Sequence, residues 1–358
     1  MKTAFEKKDV YSFIPNASLL LYDVFDLPHW NNYKSELPVA PDTYRKMLNG
    51  VDVSQGSKNK ILDFYSCETN LDPANVFKYW KQGGYLHQSQ LKGFIDGMRL
   101  TYSEPKKSFF LDQLEKLLDI DIQISHLCNE EKNEKTRHQI FWQSNLAKLL
   151  FMPLDLKKAP SKEHHEQFIA YGKFSLIMYF IAAYEVALRN KYSIDFHDNK
   201  SLVNTQLPKF VDSGIDWPIK NVTRFWQNTF NISSVEKLAA SIPISEDVDI
   251  EHKKRRLEFW RSGERNPNID PKSTLVWVEA FCRDSSAVYK ESVRFNVATI
   301  LQRFAKQMYP DLFPPKVNSN IIEFESISKK QKMQQVEKLF QIYKHHYQSN
   351  MNDFRQCN

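Results

Sequence analysis

Apolar positions along this chain recur mostly at intervals of three and four, the period of a helix with one buried face. In the segment 39–65, VAPDTYRKMLNGVDVSQGSKNKILDFY, Tyr44, Met47 and Leu48 share a face while Asp42, Thr43, Arg45, Lys46 and Asn49 point away from it. Gly50 can take the left-handed conformation that ends a helix, and Ser54 can cap the next one. That second helix would bury Ile61, Phe64 and Tyr65 and leave Ser57, Lys58 and Lys60 outward. The same spacing predicts helices over 16–25, from Asp72-Pro73 onward, over 87–98 and from 108 to 120. DIDIQIS at 119–125 alternates apolar and polar residues, which predicts a strand.

Farther along, helices are predicted over 135–151, 162–192, 201–213, 218–229 and 233–241, the last with Ser233 and Glu236 at capping-box spacing. Asp270-Pro271 starts another by placing an N-cap residue before a proline at the first helical position. Helices over 285–309 and 328–349 close the chain, with Met333, Val336, Phe340, Tyr343 and Tyr347 forming the seam of a short coiled coil or of a helix docked on the core, docking being the favoured reading. The expected fold is therefore all-α, multi-helical, with one or two short strands at most. The polar, proline-containing TYSEPKK at 101–107 suits a domain connection. It divides the chain into an N-terminal helical domain, residues 1–105, and a larger helical one, residues 106–358.

Composition narrows the classes. Only 9 of 358 residues are glycine, against a usual share of roughly 7%, so phosphate loops cradled by glycines are scarce. Forty-nine basic against 43 acidic residues leave a net charge of +6, compatible with a polyanionic partner. The four cysteines, at 67, 128, 282 and 357, have neither disulfide-framework nor zinc-ligand spacing. No metal and no cofactor is predicted, and a cytoplasmic protein with reduced thiols is the simplest account. MKTAFEKKDVYSF lacks the apolar region of a secretion signal. Phe174 to Leu188 is too short, and carries Glu185, to span a bilayer, so it is expected as a buried core helix.

The segment Val-Ala-x-x-Thr-Tyr-x-x-Met-Leu-Asn-Gly, then Val-Ser and a basic helix, resembles the recognition helix and following helix of lactose-repressor-type and phage-repressor-type helix-turn-helix domains. The resemblance implies double-stranded DNA as partner, with contacts at Pro41, Asp42 and Lys46 and Asn49 near the backbone. A purely structural helical hairpin is the alternative. YEVALRN at 184–190 is similar to the central helix of abortive-infection proteins of the HEPN ribonuclease superfamily. That likeness implies RNA cleavage with Arg189 stabilising phosphorane charge and His197 moving a proton. The residues by themselves read as a Glu185–Arg189 pair buried in an apolar helix. Both resemblances point to prophage regulation or phage defence, with the C-terminal domain as effector or protein-binding scaffold.

Lys253, Lys254, Arg255 and Arg256, with Arg261 and Arg265 beyond, form the densest basic cluster and a secondary candidate for phosphate contact. A solvated helix face answering the acidic run before it is the other reading. Glu163-His164-His165-Glu166 and His345-His346 are expected to be solvent-exposed, since adjacent histidines on a helix diverge by about 100°.

Overall fold

The computed structural model describes residues 39–48, 53–57, 59–60, 109–151, 165–195, 200–211, 214–243, 248–312 and 329–357, with positions 13, 14, 20, 24, 25, 91 and 95. The helix predicted from Asp72-Pro73, the connection at 101–107, Asn49, Lys58, His197 and the side chain of Arg45 lie outside the described residues, as do most of 16–25 and 87–98. The protein is mainly α-helical. The described helices are α1 (Pro41–Leu48), α2 (Phe109–Glu130), α3 (Glu134–Gln143), α4 (Asn145–Phe151), α5 (His165–Lys191), α6 (Pro218–Thr229), α7 (Val235–Ala240), α8 (Ile250–Arg261), α9 (Pro271–Glu279), α10 (Ser285–Leu312) and α11 (Lys329–Cys357). Two short strands, β1 (Lys209–Val211) and β2 (Gly214–Asp216), precede α6 as an antiparallel pair in which Phe210 faces Ile215. The chain separates into two compact units, Met1–Ile177 and Met178–Asn358.

In the first unit, α2, α3 and α4 pack on one another. The alternating DIDIQIS stretch is not a strand but part of α2. From Leu114 onward its buried positions, Leu114, Leu117, Leu118, Asp121, Ser125 and Cys128, keep the helical period, and Asp121 and Ser125 among them are polar. Period-two hydrophobicity at Ile120, Ile122 and Ile124 misled because the inward group at this level is a carboxylate: Asp121 Oδ1 accepts the Phe13 N–H at 2.8 Å. Phe13 in turn sits among Phe141 and Phe151, ring centres 5.3 and 5.6 Å away. The helix predicted over 135–151 is divided at Ser144, whose Oγ accepts the Ala147 N–H and restarts the chain as α4.

In the second unit, α6, α9 and α10 surround a tryptophan core. Trp226 meets Trp277 edge-on at 5.3 Å and stacks on Phe295 at 5.5 Å, and Trp260 of α8 lies 6.1 Å from Trp277. Each buried indole N–H needs an acceptor. Trp226 donates to Glu291 at 2.7 Å and Trp277 to the Leu238 carbonyl at 3.0 Å. Gln302 bridges α6 and α8, accepting the Ile219 N–H at 3.1 Å and donating to the Trp260 carbonyl at 2.8 Å.

Two local expectations change here. Residues 201–211 form turns and a strand instead of a helix, because Pro208 has no N–H to give and its ring clashes with a helical backbone before it; the Leu202 N–H goes to Glu185 and the Val203 N–H to Ser201 Oγ. The cap of α7 is Ser234, one residue beyond the expected Ser233, accepting the Lys237 N–H at 3.2 Å. The Asp270 cap and Pro271 start of α9 are as predicted.

Gly263 closes α8 with φ +74°. A Cβ there would stand 2.3 Å from Cε2 of Trp217, the residue that begins α6. Backbone strain and overlap with an indole act together, so Gly263→Ala is expected to destabilise the protein by about 2–3 kcal/mol. Gly56→Ala, where nothing lies within 4 Å, should leave stability unchanged or raise it by up to about 1 kcal/mol. Denaturant midpoints of both variants against wild type check the pair.

Candidate nucleic-acid interface

Three polar constellations were expected from the sequence, and the structure sorts them by accessibility. On α1, Asp42 and Lys46 are exposed, Pro41 and Thr43 half-buried, and Lys46 Nζ lies 3.4 Å from Asp42 Oδ2 one turn away. Ser54 acts as the expected cap: its Oγ accepts the Ser57 N–H at 3.3 Å, and Gln55 donates to Asn59 at 3.0 Å along the helical turn that follows. Ser57 is half-buried and Lys60 exposed. A short helix, Pro41–Leu48, is thus followed by a serine-capped helical turn at 54–57.

The α5 constellation is the opposite case. Phe174 to Ala183 is buried on every side of the helix, and Glu185 and Arg189 are 0% and 1% exposed. They form no direct ion pair. Glu185 accepts from Ser201 Oγ, the Leu202 N–H and the Tyr343 hydroxyl, each at 2.7 Å. Burial pushes its carboxyl above the ordinary range, opposed by those three donors and last by the Arg189 charge. Arg189 donates to the Lys200 carbonyl at 3.0 Å, to the Asp195 carbonyl and to the Tyr347 hydroxyl. Tyr343 and Tyr347 are the expected docking seam of α11, buried together with Phe340. The four-residue spacing on α5 is answered by a four-residue spacing on α11, and that match, invisible along the sequence, replaces the expected pair.

The seam is wider than predicted. Ile342, Tyr343, His346, Tyr347, Asn350 and Met351 are all buried, about half of the helix circumference. His346 is therefore inside, not exposed, with its ring edge-on to Tyr179 at 5.6 Å and its carbonyl accepting from Asn350 at 2.9 Å. Burial, reinforced by His345, lowers its pKa to about 3. The sequence signal was available in its position, three residues after Tyr343.

The basic run on α8 disperses. Lys254 pairs with Glu236, Arg256 lies over Trp260 and donates to Asn268, and Lys253 is half-buried. Arg255 stays exposed, its guanidinium 5.3 Å from the Phe259 ring centre. Of the four consecutive cations at 253–256, only Arg255 is accordingly left exposed. Among the described residues no group of three or more metal-ligating side chains forms, and no helix is long and apolar enough to cross a membrane. No family model, curated protein or solved structure matches the chain.

Two stability measurements test this account. Because Glu185 and Arg189 use separate partners, each single change to an apolar residue should cost about 3–5 kcal/mol. A double-mutant cycle should show coupling below about 1 kcal/mol. A direct pair would instead let the double variant recover most of the loss. For His346, the folded state stays neutral while the unfolded chain takes up a proton below its ordinary value of 6.5. Stability should then fall from pH 6.5 toward pH 3 by about 1.4 kcal/mol per unit from this group. In His346→Gln, melting across that range should be flatter by one proton.

Proposed function

We propose that the protein is a DNA-binding helical protein of a prophage-regulation or phage-defence system, gripping duplex phosphates with the outward face of α1 and the helical turn begun by Ser54. The observation that carries this reading is the order of parts: Pro41–Leu48 helical, then a serine-capped segment at 54–60, with Lys46 and Lys60 exposed. Lysine is a compact, flexible cation suited to phosphate oxygens, and such contacts orient a protein on DNA without reading its sequence. In the free protein Asp42 holds Lys46 at 3.4 Å. A phosphate competes for the same ammonium, and Asp42 either repels it or accepts from a cytosine amino group in the major groove. Arg189 supports a structural role over RNA cleavage, since its guanidinium is turned inward onto two carbonyls and a phenol.

Mobility shift with a duplex pool, followed by salt titration of the full chain, decides the matter. Binding should weaken with salt, and Lys46→Ala and Lys60→Ala should each lower the slope of log K against log salt by about 0.9. Asp42→Asn should raise non-specific affinity a few-fold, the worth of about 0.5–1 kcal/mol at an exposed charge. Salt-insensitive binding, or none at low salt, refutes the reading.

A further inference from the structure

The helix α8 separates its charges by stripe. Glu251, Lys254, Glu258 and Arg261 follow each other at intervals of three, four and three residues, so acid and base alternate along one side. The adjacent side carries His252, Arg255 and Phe259 at the same intervals, with Arg256 next to it; Glu251 and Glu258, four residues before and three after Arg255, stand at its border with the mixed stripe. The mixed stripe is internally answered: Glu236, Glu251 and Glu258 all act on Lys254, and Glu258 acts on Arg261.

The other stripe accumulates positive charge instead. The turn closed by Gly263 brings Arg265 back over the helix, its N–H donating to the Phe259 carbonyl at 3.1 Å. Its guanidinium reaches 5.0 Å from the same ring centre that Arg255 approaches to 5.3 Å. The two cationic carbons are thus within about 10 Å of one another, comparable to the Debye length at 0.1 M salt. Both arginines are exposed, and neither meets a carboxylate within salt-bridge distance among the described residues. The loop that carries Arg265 is held by further cations: Lys306 donates to the Glu264 carbonyl at 3.1 Å, Arg303 to the Pro267 carbonyl at 3.0 Å, and Arg256 to Asn268. The exposed Glu264 is the acid in this loop.

Two guanidiniums gathered on one ring repel each other. Cation–π attraction to Phe259 offsets part of that cost, and an anion lying between them would reverse it. Planar guanidiniums match phosphate oxygens two at a time, and a half-buried ring that stiffens both side chains reduces what they lose on binding.

We propose that Arg255 and Arg265, gathered on Phe259 and flanked by His252, form a polynucleotide-phosphate site in the C-terminal unit, distinct from the α1 region. The partner is a nucleic-acid backbone, chosen over a single anion because the two exposed guanidiniums come from different segments, the helix and the loop after Gly263, so that each can take its own phosphate along one strand. The site does not depend on α1 reading DNA.

The test uses the full chain with labelled duplex and single-stranded oligonucleotides, titrated with salt. Arg255→Gln with Arg265→Gln is expected to lower the salt slope by about 1.8 on duplex or about 1.4 on single strands, with a melting temperature near wild type because both side chains are exposed. Arg255→Lys with Arg265→Lys, which keeps the charges, should restore the slope. An unchanged slope and affinity in the glutamine variant overturns the proposal, even if Lys46→Ala and Lys60→Ala weaken duplex binding as expected of α1. A slope lost in the glutamine variant but untouched by the α1 lysine changes supports this site and removes the α1 reading. No oligonucleotide binding by wild type at low salt overturns both. Displacement of the oligonucleotide by low-millimolar inorganic phosphate at matched ionic strength would assign the site to a free anion and overturn the polynucleotide claim. So would arginine-dependent sedimentation with phosphatidylserine vesicles in a protein whose oligonucleotide binding ignores the same variant.

Discussion

An ionisable pair of residues inside the most apolar helix constrains everything near it. A carboxyl buried without donors, or a guanidinium without acceptors, would cost several kcal/mol, and α5 cannot supply them from its own backbone. The partners come from two directions. The segment after the helix provides Ser201, the Leu202 N–H and the Asp195 and Lys200 carbonyls, and α11 provides two tyrosine hydroxyls. Satisfying Glu185 and Arg189 therefore fixes where the chain goes after α5 and which face of α11 is inward. The turns at 202–207 run between these anchors and Pro208, which cannot sit in a helix interior.

The same logic passes outward through Arg294. This residue pairs with Glu291 at 2.8 Å, donates to the Leu202 carbonyl and lies over Phe225 at 4.3 Å. Glu291 also receives the Trp226 indole N–H, so the polar cluster around α5 and the tryptophan core are joined through one carboxylate. Gln302 extends the connection to Ile219 and to Trp260 of α8. The orientation of α8 is set by Leu257 and Trp260 inside, which turns Arg255 and Phe259 outward. Core geometry thereby decides which cations remain available on the surface.

Several cations near the surface have an acidic partner close by: Lys46 has Asp42, Lys220 and Arg224 share Asp216, and Lys254 has Glu236. A pair such as Asp42–Lys46 is exposed and exchangeable, so it is compatible with phosphate binding. Arg255 and Arg265 differ because an aromatic ring, not an acid, holds them together. Functional readings built on net charge alone would treat these cases alike.

The one-dimensional pattern determined the helical class, the extents of α5 and α10, and the start of α11, which runs to Cys357, past the expected 349. It also determined starts with strong local chemistry, among them Asp270-Pro271 and Ser54, because hydrophobic period and capping act over a few residues. It pointed to Glu185 and Arg189 as groups needing partners, and to the seam of α11. It failed where the deciding group is distant in sequence. DIDIQIS is helical because Asp121 serves Phe13. Residues 201–207 are turns tied to α5, with the Leu202 N–H on Glu185. His346 is neutral because α11 buries half its circumference. The four consecutive cations of α8 looked like one patch, yet a helix turns about 100° per residue. Only the packing of Leu257 and Trp260, and the return of Arg265 around Gly263, settled which charges stand together: proximity between residues apart in sequence is a property of the folded chain.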